Sequence, residues 1–306
     1  MGITNKENVQ NANYKHKQLL FQILSKEGAV VIIDTHTHTF PDKIAARALA
    51  GMEKSIVDNH GWDVKIKVAG TRDALSESTK KNGVDISVVV PVATKPEQSA
   101  SINEFAAQTN EKTKETGVFS LGAIHPDNED YKDILDDIKK KGLKGIKVHP
   151  DYQKVEFDDP RYLRIFKYAD ELGLVIVTHA GEDIGLPEKI HCTPDMVLNV
   201  LNKVNPKKLV LAHMGGWNLW DEVEEKLVGK NVYFDTAFSF EKGIPHLEKE
   251  QFLRIVEKHG ADKILFATDS PWSDQGYTLE RLKEFGMSEE ALNLILGENA
   301  KKLFEF

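Results

Sequence analysis

Apolar residues fall along this chain in short, nearly continuous runs, separated by longer stretches in which they recur every three or four positions. Eight such runs stand out: 29–34 (AVVIID), 86–91 (ISVVVP), 118–124 (VFSLGAI), 145–149 (GIKVH), 174–179 (LVIVTH), 209–213 (LVLAH), 232–235 (VYFD) and 264–269 (ILFATD). They are rich in β-branched residues and lack the strict polar alternation of a half-exposed strand, so each predicts a strand buried on both faces. The stretches between them predict helices. In 160–173, Tyr162, Ile165, Phe166, Ala169 and Leu172 share one helix face. Asp159 is placed to cap that helix, Pro160 suits its first turn and Gly173 its end. Segments 193–204 and 288–295 read the same way. Strand and helix alternating through eight runs predict a single α/β domain, a (β/α)8 TIM barrel over 29–306. Residues 1–28 predict an added N-terminal helix outside the barrel, and 41–71, long for one crossover, a lid or substrate loop.

Composition narrows the partners. Of 306 residues 41% are hydrophobic, enough for a large core, and the net charge of −8 is spread along the chain. An acidic chain offers no electrostatic surface for nucleic acid. No apolar run approaches the ~18 residues of a membrane span, and the polar start of the chain does not read as a signal peptide. The single cysteine, Cys192, allows no internal disulfide and fits a reducing compartment. The expectation is a cytoplasmic protein acting on a small molecule, without a membrane or nucleic-acid partner.

The polar residues that matter end the apolar runs. Asp34-Thr35-His36-Thr37-His38 closes the first, Lys147 and His149 the fourth, His179 the fifth, His213 the sixth and Asp269 the eighth. In a parallel barrel every strand C-terminus opens on one face, so these residues converge. Alternate side chains of an extended segment point the same way, which lets His36 and His38 aim at one ion. Imidazoles with a carboxylate suit zinc and neighbouring divalent ions. His36, His38, His179 and Asp269 would hold one and still admit a water, whose proton Asp269 or His213 is placed to take. Each residue alone has a plainer reading: a hydrogen-bonding histidine, or Asp269-Ser270-Pro271 as a turn. Their joint placement at strand ends favours chemistry. Trp217, Trp220 and Trp272 follow strand ends and fit either pocket walls or packing between helices, with Trp272 the better pocket candidate.

The segments IIDTHTH (32–38), GIKVHP (145–150), VTHAG (177–181), LAHMGG (211–216) and FATDSPW (266–272) together resemble the amidohydrolase superfamily, and within it the amidohydrolase-2 branch that includes aminocarboxymuconate-semialdehyde decarboxylase. The resemblance implies a barrel enzyme with one catalytic divalent ion, commonly zinc. Its ligands fall on His36, His38, His179 and Asp269, and a catalytic histidine on His213. Lys147 carries two readings. In binuclear relatives a carbamylated lysine at this strand bridges two ions, and His179 and His213 would then hold the second; the neighbouring motifs favour a free ammonium that binds substrate or pairs with an acid. His149 lines the pocket or supports a ligand in either case.

The leading expectation is hydrolysis of a C–N or C–O bond by a metal-activated water. The alternative on the same site is non-oxidative decarboxylation of an unsaturated or aromatic acid, with Lys147, Arg47 or Arg72 meeting the carboxylate. A non-catalytic zinc-binding barrel would be favoured by a missing ligand, and none is missing. A TatD-type nuclease shares the TDSP segment, but its glutamate-bearing segment is absent. The resemblance also leans toward a homo-oligomer.

Overall fold

A computed structural model describes residues 30–306, so the helix expected over 1–28 lies outside the described residues. Nine short strands follow in order: β1 (Ile33–Thr37), β2 (Ile86–Val89), β3 (Val118–Ser120), β4 (Gly122–Ala123), β5 (Gly145–Val148), β6 (Val175–Thr178), β7 (Leu209–Leu211), β8 (Tyr233–Asp235) and β9 (Ile264–Leu265). All neighbours pair in parallel, β1-β2-β3 and β4 through β9. β3 and β4 are one stave: between them the Leu121 N–H donates to the Val89 carbonyl at 2.9 Å. The circle closes beyond β9, where Thr35 N–H donates to Phe266 O at 2.9 Å and Asp269 N–H to His36 O at 2.8 Å. Eight staves with helices outside make the expected TIM barrel.

The strands are shorter than the runs that predicted them, because their polar ends turn out of the ladder to form the open face. Strand residues alternate between two cores. Ile33, Val88, Val175, Val177 and Leu265 point inward and meet Phe304 of the C-terminal helix Asn299–Phe304. Ile146, Ile176 and Leu211 point outward, against helices such as Pro160–Glu171. That helix is capped by Asp159, which accepts from Arg161 N–H at 2.8 Å, and Gly173 follows at φ +71°, as the sequence predicts.

Segment 41–71 contains a helix, Asp42–His60, standing beside the barrel mouth. Ala45, Leu49 and Ile56 form its buried side. Ser55 Oγ and Asn59 Nδ2 both donate to the Gly185 carbonyl, at 2.9 and 3.0 Å, tying the helix to the loop after β6. Among the described residues no helix is long and apolar enough to cross a membrane.

Candidate active site

β1 delivers His36 and His38 to the open face, with their Nε2 atoms 3.2 Å apart. Asp269, held in a left-handed conformation at φ +66°, brings Oδ1 to 3.1 Å from His38 Nε2 and 3.7 Å from His36 Nε2. These three ligand atoms lie within 4.8 Å of one another. Asp235, at the end of β8, fixes the geometry. Its Oδ2 accepts from His36 Nδ1 at 2.9 Å, which leaves the His36 Nε2 lone pair facing the centre. Its Oδ1 accepts from His213 N–H at 3.0 Å.

His213 follows β7 at φ +58°. Its Nδ1 donates to the Ala237 carbonyl at 2.8 Å, so its Nε2 is the exchangeable nitrogen, 3.0 Å from His179 Nδ1. His179 Nε2 is buried without a hydrogen-bond partner; Asp151 Oδ2, 3.8 Å away, is equally unpartnered. The His149 ring stacks on His179 at 4.3 Å, and His149 Nε2 lies 3.4 Å from Asp183 Oδ2. His149, His179 and Asp183 thus form a second group of potential ligands. His213 stands between the groups, its ring centroid 5.6 Å from His36 and 4.8 Å from His179. Of the four residues expected around one ion, three sit in the first group and His179 in the adjoining one.

Burial pushes His36, His149 and His179 well below the ordinary imidazole value, the neighbouring Lys147 adding to the effect. They are neutral at pH 7, the state in which an imidazole binds metal. Burial would raise Asp269, but the hydrogen bond from His38 and the electrostatic pull of the surrounding imidazoles outweigh it and hold the carboxylate ionised. Lys147 Nζ lies 3.2 Å from His36 Nε2, and burial brings its ammonium down to about 8 against the pull of Asp235 and Asp269. Burial, helped by Asp151, lifts Asp183 to about 7.

The donor set is one a divalent ion would accept: neutral imidazole nitrogens and an ionised carboxylate converging on one point, with the His36 tautomer fixed from behind. The cavity above encloses about 890 Å³ and is lined by His36, His38, Lys147, His149, His179, His213, Asp269 and Trp272. The five histidines, Lys147, Asp269 and Trp272 singled out in the sequence therefore face one space. Arg47 and Arg72 do not line it: the first lies on the exposed side of its helix, and the second opens the next helix, Arg72–Lys81, which Thr71 caps. Trp220 turns instead to packing and donates to the His213 carbonyl at 3.0 Å. Sequence reasoning passed over Asp235 and Asp183. The signal for Asp235 was present, since it ends the seventh run as the histidines end others; Asp183 sits four residues past His179 in a loop, where no strand pattern points to it.

The family model for Amidohydrolase (Amidohydro_2) matches residues 33–306. No curated protein matches the chain significantly. Among solved structures, a dihydroxybenzoic acid decarboxylase from Polaromonas sp. JS666, with bound manganese and the inhibitor 2-nitroresorcinol, is similar at TM-score 0.67 and 16% identity, covering 90% of this chain and 97% of that one. A 5-carboxyvanillate decarboxylase from Sphingomonas paucimobilis is similar at TM-score 0.64 and 16% identity, covering 91% and 100%. A 2,6-dihydroxybenzoate decarboxylase from Rhizobium is similar at TM-score 0.64 and 15% identity, covering 90% and 99%. At these identities the structures speak for the shared fold. The family match runs from β1 through the last helix and takes in every strand end described above, so this chain belongs to the amidohydrolase family, in its Amidohydro_2 branch, and is an enzyme.

Proposed function

We propose that this enzyme removes the carboxyl group of an unsaturated or aromatic hydroxy acid without oxidation. The observation that carries the reading is the cavity floor: an ammonium, Lys147, next to the His36–His38–Asp269 group, beneath apolar walls that include Phe40, Ile102, Phe238 and Trp272. The decarboxylases similar in fold support it over hydrolysis, the first expectation from sequence. His36, His38 and Asp269 hold the ion, and His179, with its buried unpartnered Nε2, is the fourth candidate ligand. When bound, the ion supplies a positive centre that orients carboxylate and hydroxyl oxygens and draws off developing charge. Manganese in the Polaromonas enzyme and this nitrogen–oxygen donor set fit manganese as well as zinc.

Lys147 meets the substrate carboxylate. The apolar walls exclude water and favour release of neutral CO2 from a charged group. As the C–C bond breaks, its electron pair stays on the ring carbon, which takes a proton. His213 is the proposed donor, through the Nε2 that its Ala237 contact leaves exchangeable. A panel of hydroxybenzoates, unsaturated acids, amides and lactones in D2O tests this. Expected are CO2 and a product carrying one deuterium at the former carboxyl carbon. Hydrolysis of an amide or lactone without CO2 release from any acid would overturn it.

One observation favours a second reading, hydrolysis over two ions bridged by a carbamylated Lys147: His179 Nδ1 and His213 Nε2 approach to 3.0 Å, as two ligands of one ion would. Intact mass under native conditions separates the two. A carboxyl group on Lys147 with two ions per chain supports hydrolysis; an unmodified lysine with one ion supports decarboxylation.

A further inference from the structure

The helix Asp42–His60 turns a second face to the cavity. Ile44, Ala48, Gly51, Met52 and Ser55 follow helical spacing and all line it. A glycine inside a helix lowers its stability relative to alanine, so its presence calls for a reason. Elsewhere in this chain the reason is a left-handed backbone, as at Gly61 (φ +69°), or contact: a Cβ at Gly145 would meet the Val175 carbonyl oxygen at 2.4 Å. At Gly51 a Cβ would meet nothing within 4 Å, and the backbone is not left-handed. Neither packing nor backbone conformation requires glycine there. Gly51 is exposed at the cavity rim, and the side chain it lacks leaves the space there open.

Three further observations agree. The cavity, about 890 Å³, lies near the top of the roughly 300–1,000 Å³ range of sites that enclose drug-sized ligands. Its rim carries exposed apolar side chains from three separate elements: Ile44 at 51%, Phe105 at 43% and Leu186 at 38% exposure. Its floor carries the ammonium of Lys147 and the ion-binding group. The whole is polarised, charged below and apolar above.

We infer that the substrate is an amphipathic acid, its carboxylate on the floor and a bulky apolar substituent, the size of a second ring, against the Ala48–Gly51–Ser55 face, with Gly51 setting the size it admits. The inference rests on the reading of the floor as an acid site, and the test separates the two. Benzoate and 4-phenylbenzoate lack the ortho hydroxyl of a hydroxybenzoic acid and serve as stable probes. Their binding to the metal-loaded protein is measured by calorimetry, with thermal melting of each variant alongside. Burial of the second ring should make 4-phenylbenzoate bind at least about tenfold tighter than benzoate. Gly51→Leu should abolish that advantage, leave benzoate affinity within about twofold and melt no lower than wild type, since leucine favours the helix. Ala48→Leu, one turn away, should act in the same direction, and Gly51→Ala should keep the advantage. Equal affinity of the two acids for the wild-type protein, or equal weakening of both by Gly51→Leu, overturns the inference while leaving the acid site intact. Failure of both acids to bind overturns the acid site and this inference with it.

Discussion

At the end of β8 one carboxylate serves two histidines: Asp235 accepts from His36 Nδ1 and from the His213 backbone. Burial raises Asp235 above the usual carboxylate range, which strengthens its hold on the His36 proton. Asp235→Asn should keep the shape but lose the tautomer control, and should weaken metal binding about 10–100-fold in a competition titration against a chelating dye. Unchanged affinity would show that Asp235 is only a packing group. The roles of the histidines separate in a paired measurement of metal content and turnover. His36→Asn and Asp269→Asn should lose both. His213→Asn should keep its metal and lose roughly 10²–10⁴-fold in rate, the contribution of a positioned proton donor. Loss of metal from His213→Asn as complete as from His36→Asn would make His213 a ligand.

At the scale of elements, the loops after β6 and β7 are sewn together behind the site. Trp217 N–H donates to Ala180 O at 2.9 Å and Glu182 N–H to Trp217 O at 3.0 Å, with Gly181 between at φ +86°. A Cβ on Gly181 would stand 2.2 Å from Trp217 N and 2.4 Å from Trp217 O. No rotamer relieves a clash with backbone. Gly181→Ala should therefore cost at least about 2 kcal/mol in chemical denaturation, from left-handed strain and displaced strands together. The same change should disturb His179 and His213, which precede these loops, so activity should fall further than stability alone explains. A variant as stable as wild type would show that the two loops move independently. On the other side of the mouth, Asp34 accepts from Thr268 Oγ1 at 2.6 Å and Gln275 Nε2 at 2.8 Å, joining β1 to the segment that carries Asp269.

For the whole molecule, the two groups of potential ligands come from β1 and the segment after β9 on one side and from the ends of β5 and β6 on the other, so an ion held by His36, His38, Asp269 and His179 would tie opposite sides of the barrel. Anything that binds the folded state alone stabilises it by mass action, about 2.7 kcal/mol at a hundredfold excess over Kd. Chelation should lower the melting temperature by several degrees, about 2–4 °C per kcal/mol for a chain of this size, and added manganese or zinc should restore it. A melting curve indifferent to chelator and metal would mean that no ion is held at this face.

Much of this was legible in the chain. Buried parallel strands need apolar runs, and barrel geometry gathers whatever ends them, so His36, His38, Lys147, His149, His179, His213 and Asp269 could be placed on one face from their positions alone. The strand periodicity also put His36 and His38 side by side. What periodicity does not carry is the direction of a side chain that leaves a strand through a left-handed residue or a loop. Only the folded chain turned His179 toward His149 and Asp183, set Asp235 behind His36 and His213, and excluded Arg47 and Arg72 from the cavity. Likewise segment 41–71 reads in sequence as a lid or substrate loop; that it carries a helix with Gly51 bordering the cavity depends on how the chain docks against the barrel. Local pattern determines which elements form and which residues end them, because it acts through backbone propensity and burial. Ligand grouping and pocket size depend on contacts between residues far apart in the chain, and those exist only once the barrel has closed.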